Sequence, residues 1–514
     1  MLSLHTFQSM AVSKTQTTDR KKVIRVKAER NLLGQLLLLS KSHDISFNKL
    51  FSYPLGPIPW SLATADGSFI KTNKAQLMHH LEDQSPAPVD SAEVANCTVI
   101  IDGNAFLRSL VRLPETFGEL AKLVISTLPK GKSVHFVTDS YQPASIKQVE
   151  RLRRGTSTTF LIGGPLTKLP KDFSAFMLNA GNKLQLVKFL LNEWKSVHYA
   201  RYVCDCTVYF VCEEECHMLH SPDVVTTTVS SVQNLWSSQE EADTRIILHC
   251  LHAAQSLCDG QKIVVRSPDT DVFILLLAYA SRITKPVLFD TGSRNNRRLI
   301  DISSIASNLG DQIVEALPGL HAFTGCDCTS AFVRKGKMAP FKLMAENPQF
   351  VKVFQNVGSW TGLPSCTQLT QMEYFVCCMY GQLQFTETSK VRSAIFESRY
   401  GVKLPQSLSA TKSCGIDLSL LPPCQAALRK HCMRANYQTL IWRQAHIAYP
   451  TLPSPDGHGW IKDADWIEGD MIPQTLVDIL EDTDVEDELE ATEEDDEVDN
   501  IIDIVFSADE DDDD

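Results

Sequence analysis

Ile263-Val264-Val265-Arg266-Ser267-Pro268-Asp269-Thr270-Asp271 followed by Val272-Phe273-Ile274-Leu275-Leu276-Leu277-Ala278-Tyr279-Ala280 joins three kinds of local sequence. A β-branched run comes first, then a turn whose proline removes a backbone donor, then nine apolar residues in a row. A strand and a helix that both lack a polar face fit a layered α/β fold, where sheet and helix bury each other. The same alternation extends to both sides. Thr98-Val99-Ile100-Ile101 is a strand followed by a helical stretch from Ala105, and Val134-His135-Phe136-Val137 is a strand followed by a charged helix through Arg154. Lys183 to Trp194 carries Leu184, Val187, Leu191 and Trp194 on one helical stripe. Val203 to Cys212 reads as a further strand and Ala242 to Ala254 as a further helix. The pattern predicts a parallel sheet flanked by helices.

Acidic residues stand where these strands end. Asp102 follows Ile100-Ile101, Asp139 follows Phe136-Val137-Thr138, and Asp269 and Asp271 follow the strand quoted first. Open α/β sheets bind ligands beyond the carboxyl ends of their strands, so these four carboxylates are expected to share a crevice. Glu240-Glu241-Ala242-Asp243 opens a helix, and Asp327 lies in His321-Ala322-Phe323-Thr324-Gly325-Cys326-Asp327-Cys328. Carboxylates a few ångströms apart cannot all stay ionised without a counter-charge. Hard divalent ions with oxygen ligands supply one, and Mg²⁺ or Mn²⁺ suits a phosphate substrate. Two such ions about 3.5–4 Å apart can activate water and stabilise a leaving oxygen in phosphodiester hydrolysis. Taken singly, an aspartate after a strand is as readily a helix cap or turn residue, most of all Asp102.

The order Asp102, Asp139, Glu241-Ala242-Asp243, Asp269-Thr270-Asp271, Gly325-Cys326-Asp327 resembles the flap-endonuclease/XPG branch of the PIN-like nucleases over roughly residues 95–345. The resemblance implies a PIN-like α/β domain whose Asp102, Asp139, Glu241, Asp243, Asp269, Asp271 and Asp327 hold two Mg²⁺ or Mn²⁺ ions. Lys147, Arg153 and Arg154 resemble the basic residues that hold the scissile phosphate. Lys168, Lys171, Lys183, Lys188 and Lys195 lie where the family inserts a helical arch, or form a solvated helix face. The chain departs from the family twice. About 95 residues precede the domain, and Cys328 to Lys342 keeps only Arg334-Lys335-Gly336-Lys337 of the family's duplex-binding segment. Tyr53-Pro54-Leu55-Gly56-Pro57 and His321–Asp327 also resemble segments of a group of animal proteins of unsettled function.

The expected organisation is a disordered basic N-terminus (1–22), an accessory segment (23–94), the PIN-like domain (95–345), a mostly helical region (346–470) and an acidic disordered tail (471–514). Asn31–Ser40 reads as an apolar helix, and Ser85-Pro86-Ala87-Pro88 as a linker. The net charge of −13 comes from the tail: residues 481–514 hold 20 Asp and Glu, which leaves 42 acidic against 49 basic residues, a net of +7. A mildly basic body suits a nucleic-acid partner, DNA in preference to RNA, with the tail as a solubilising segment or a competing polyanion. No apolar run reaches the roughly 18–20 residues that span a bilayer. The sequence offers no signal peptide, and its fifteen cysteines lack a disulfide framework. These features place the chain in the nucleus before the cytoplasm, with reduced thiols. Cys204, Cys206, Cys212, Cys216, His217 and His220 suggest zinc, but apolar Val208 and Phe210 between them favour core thiols. Three functions follow: a structure-specific DNA nuclease, a PIN-type endoribonuclease, and a non-catalytic nucleic-acid-binding scaffold of mobile-element origin.

Overall fold

A computed structural model describes residues 47–55, 58–64, 67–83, 97–129, 131–141, 145–147, 158–204, 206–292, 296–360, 362, 364–400, 417–461 and 466–467. The N-terminal 22 residues, the Asn31–Ser40 helix, the Ser85–Pro88 linker, Arg153, Arg154 and the acidic tail lie outside the described residues.

The elements that build the site run in the order α1 (Ala75–Glu82), β1 (Thr98–Asp102), α2 (Gly103–Arg108), α3 (Phe117–Thr127), β2 (Ser133–Val137), α4 (Ala180–Trp194), β3 (Thr207–Cys212), β4 (Glu215–His220), β5 (Thr228–Ser231), α5 (Ala242–Ser256), β6 (Ile263–Arg266), α6 (Thr270–Tyr279), β7 (Val287–Thr291), β8 (Arg298–Asp301), α7 (Ile302–Leu309) and α8 (Asp311–Phe323). Among the described residues five more α-helices follow: α9 (Met338–Ala345), α10 (Pro348–Asn356), α11 (Cys366–Met379), α12 (Thr388–Tyr400) and α13 (Gln425–Arg443).

The eight strands form one sheet in the order β5-β4-β3-β2-β1-β6-β7-β8. Its central five strands, β3-β2-β1-β6-β7, are parallel. The edges are not: β4, β5 and β8 pair antiparallel, so the sheet is mixed. Only Glu213 and Glu214 separate β3 from β4, too short a connection for a parallel crossover. The strand expected from Val203 begins at Thr207, because Val197–Tyr202 coils into a 3₁₀ turn first. Cys204 and Cys206 therefore precede β3 or stand at its very edge, half-buried, while Cys212 and Cys216 are buried as free thiols.

Two cores sandwich the sheet, as alternation along each strand requires. On one face Val99, Ile101, Val134, Phe136, Val208 and Phe210 pack on α3 and α4. On the other, Ile100, Val137, Val265 and Phe289 pack on α5, α6 and α8. This second core also takes in Leu77, Met78 and Leu81 of α1, and Phe375, Leu428 and Cys432 of α11 and α13. The accessory segment and the C-terminal helices thus share an interior with the sheet. Among the described residues no helix is long and apolar enough to cross a membrane.

Candidate metal centre

Strand β1 pairs with β2 on one side and β6 on the other, so the chain's winding reverses there. A crevice opens at such a reversal, beyond the carboxyl ends of the strands. Asp102 ends β1, Asp139 lies just past β2, and Asp269 lies just past β6. Gly103 lets β1 turn at once into α2, since a Cβ there would stand 2.5 Å from Phe136 and 2.9 Å from the Val137 carbonyl.

Capping fixes several carboxylates. Asp102 Oδ1 accepts the Ala105 amide (2.9 Å) as N-cap of α2. Asp269 Oδ1 accepts the Asp271 amide (2.9 Å) as N-cap of α6. The capping role foreseen for such residues is real, and it aims each carboxylate rather than excluding a second role. Asp139 is used differently. Its Oδ1 accepts the Ala242 amide (2.9 Å) and its Oδ2 accepts Asn104 Nδ2 (3.0 Å), tying α5 and α2 to the end of β2. Helix α5 is further set by buried Arg245, which donates to the carbonyls of Gln239, Ser237 and Glu213. Glu241 and Asp243 thereby stand at the α5 N-terminus, where the helix dipole favours negative charge.

Asp243, Asp269 and Asp271 each offer one oxygen to a group whose atoms lie within 4.8 Å of one another, and this triad, with Asp243 and Asp271 buried and Asp269 half-buried, can hold a metal ion. Asp327 joins the same crevice through Lys74, which it shares with Asp271. Gly325, at φ +106°, packs its α-carbon where a Cβ would stand 2.8 Å from the Ala331 backbone, and the tight turn it allows presents Asp327.

Two lysines lie among the acids. Lys74, immediately before α1, places Nζ 2.8 Å from Asp327 Oδ1, 3.0 Å from Asp271 Oδ1 and 3.5 Å from Asp269 Oδ1. Lys147 places Nζ 3.2 Å from Glu241 Oε2 and 3.2 Å from Asp327 Oδ2. Lys147, expected to hold phosphate, is here a partner of carboxylates. Burial opposes both ammonium charges, but the surrounding aspartates and glutamate raise both lysines above their ordinary values.

The acids respond unequally. Burial raises the Asp102 carboxyl to about 7, helped by the charges of Asp139 and Asp269. Burial and the Asp269 charge raise Asp243 well above the carboxylate range, and burial with the Asp271 charge raises Asp269. Asp271 goes the other way: burial pushes it up, yet the Lys74 charge and the His321 hydrogen bond hold it below its usual value. His321, fully buried at the end of α8, is held down to about 4 by burial and the Lys337 charge. It is therefore neutral and donates Nε2–H to Asp271 Oδ1 (2.8 Å).

Lys74, His321 and Asn104 were not picked out from the sequence. His321 belongs to a segment already singled out, whereas nothing near Lys74 points to residues about 200 positions away. The basic residues after Asp327 take structural places: Lys337 is fully buried, donating to the His321 carbonyl (2.9 Å) and Thr324 Oγ1 (3.0 Å), and Lys335 sits 3.9 Å over the Tyr380 ring. Of the expected arch lysines, Lys183 is buried against Tyr141 and Lys188 pairs with Glu213.

The donor set fits a hard cation. It is all carboxylate oxygen, two of its members (Asp243 and Asp269) carry raised affinities for protons, and the buried Asn104 Oδ1 beside Asp139 has no hydrogen-bond partner among the described residues. No protein-family model matches the chain, and no curated protein matches it in sequence.

Proposed function

We propose that the chain is a metal-dependent phosphodiesterase of PIN-like type that cuts nucleic acid, DNA in preference to RNA. The observation that carries this reading is the triad Asp243, Asp269 and Asp271, convergent and largely buried where an α/β sheet receives its ligands. Mg²⁺ or Mn²⁺ held by these three would supply Lewis-acid stabilisation of a phosphoryl oxygen and lower the pKa of a water. The chain's own residues do the rest. Capping by Asp269 and the His321 hydrogen bond fix the orientation of the Asp-x-Asp turn. Asp139 and Asn104 lock the start of α5, and so the position of Asp243. Asp102, raised to about 7 by burial, is only partly ionised near neutrality, and the charge of a bound cation would favour its ionised form. Lys147 offsets Glu241 and Asp327, lowering the repulsion that a phosphodiester would meet on entry.

The test is a panel of flap, bubble, single-stranded DNA and RNA substrates in Mg²⁺ or Mn²⁺, for wild type and Asp271→Asn. Cleavage should fall by orders of magnitude in the variant while binding persists or tightens, as expected when a charge needed only for chemistry is removed. The RNA lanes decide between the DNA and RNA forms of the reading. A wild type that binds without cutting, matched by its variant, assigns the fold to a binding scaffold.

A further inference from the structure

Resting on the metal-centre reading, we propose that Lys74 is a built-in cation of this centre: its ammonium takes the place of one of the two divalent ions, and the crevice accepts a single ion at Asp243, Asp269 and Asp271. The ammonium donates to Asp327 Oδ1 at 2.8 Å and Asp271 Oδ1 at 3.0 Å, and stands as an ion pair 3.5 Å from Asp269 Oδ1. Asp269 and Asp271 belong both to this lysine's shell and to the triad, so they bridge two cation positions, one of them occupied by Nζ. Asp327 has no comparable share in the triad. Its Oδ1 faces Lys74, its Oδ2 faces Lys147 (3.2 Å), and its backbone carbonyl accepts Lys71 Nζ (3.0 Å).

The backbone that carries the lysine is held in place. Lys74 immediately precedes α1, whose Leu77 and Leu81 are fully buried in the main core. The far end of α1 is tied by Glu82 to Arg298 at 2.8 Å. That anchoring keeps the lysine stem beside the acids, and the ion pairs hold Nζ among them. A second divalent ion in the usual two-ion arrangement would sit about 3.5–4 Å from the first. If it shared Asp269 and Asp271 with the first, it would meet oxygens already engaged by Nζ, with like-charge repulsion added. Asn104, which donates to Asp139, keeps a buried Oδ1 with no hydrogen-bond partner among the described residues, and that oxygen marks where a ligand from outside the chain has an acceptor waiting.

Mn²⁺ titration calorimetry and electron paramagnetic resonance on the full chain test this. Counts are taken relative to Asp243→Asn, which keeps the acidic tail and disables the site. Wild type should take one ion per chain, with the signal of an isolated Mn²⁺. Lys74→Met should take two, with the spin-coupled signal of a close pair, while Lys74→Arg should stay at one. If Lys74→Met does not fold, as circular dichroism would show, wild type and Lys74→Arg still decide: one uncoupled ion in both supports the proposal. Two coupled ions in wild type, or one uncoupled ion in a folded Lys74→Met, overturn it and leave the metal centre standing. No site-specific Mn²⁺ in any variant removes the metal centre itself.

Discussion

Strand β2 and helix α5 meet twice, and each meeting buries polar groups. At the strand's end, Asp139 and the residues opening α5 belong to the carboxylate crevice. In mid-sheet, His135 of β2 and His249 of α5 form the other cluster, with Nδ1 to Nδ1 at 2.8 Å and rings crossed at 86°. His135 also stacks on Tyr209 with centroids 4.2 Å apart. Burial drives both histidines down, His135 to about 3, so the pair is neutral, with one nitrogen donating and the other accepting. Burial acts on the crevice with the same force, yet charge survives there, because Lys74 and Lys147 bring opposite charge to it. A buried titratable group goes neutral by default, and a protein that keeps one charged has to deliver its partner from elsewhere in the chain.

The largest break in that contrast should come from Lys147→Met. It leaves buried Glu241 and half-buried Asp327 without one of their counter-charges, and removal of one partner from a buried pair costs about 3 kcal/mol or more. Urea unfolding of the metal-free protein should show this loss, and millimolar Mn²⁺ should recover part of it. An unchanged midpoint would mean that Lys147 contributes nothing to the balance.

Asp102→Asn should have the opposite sign. A carboxyl raised to about 7 binds more protons folded than unfolded from about pH 4 upward, so its contribution to stability falls as pH rises through that window. Asparagine keeps the cap and never ionises. Without metal, the variant should be more stable than wild type by on the order of 2 kcal/mol at pH 8, a gain that vanishes near pH 4. Thermal melts across pH would contradict this if the two curves ran parallel.

The smallest effect belongs to the neutral pair. Replacing both members, His135→Phe with His249→Leu, removes donor and acceptor together and should cost about 1 kcal/mol or less at pH 7. The histidines' depressed values mean that the unfolded chain alone gains their protons below about pH 6.5. Wild type should therefore lose stability toward pH 5 faster than the double variant. Equal slopes in acid would show the pair to be charged in the fold, and would dissolve the contrast with the crevice.

What could be read from the chain follows from range. The turn Ser267–Asp271 and the helix opened by Glu241 are local, so proline, capping geometry and apolar runs expose them. The parallel centre of the sheet follows from strand–helix alternation, while its antiparallel edges were missed. Glu215-Cys216-His217-Met218-Leu219-His220 has no clean alternation, and the β3–β4 turn uses Glu213 at φ +55° in place of the glycine or asparagine that would announce it. Of the cysteines around β3, Cys212 and Cys216 take the core places that their apolar neighbours suggest, and burial pushes their thiols up to about 11 and about 12, whereas Cys204 and Cys206 stay half-buried ahead of the strand. The positive half of the crevice was not legible, since a lysine before a helix looks the same whether it meets water or, 253 residues later, Asp327.

That separation sets a clock on biosynthesis. Lys74 leaves the ribosome long before Asp327 is made, and at about 5–20 residues per second the wait is roughly ten to fifty seconds. Helix α1 meanwhile lacks the buried surface that α6 and the C-terminal helices later provide. A nascent chain therefore carries Asp102 and Asp139 well before it carries a finished crevice, and the centre closes only when the last of its acids arrives.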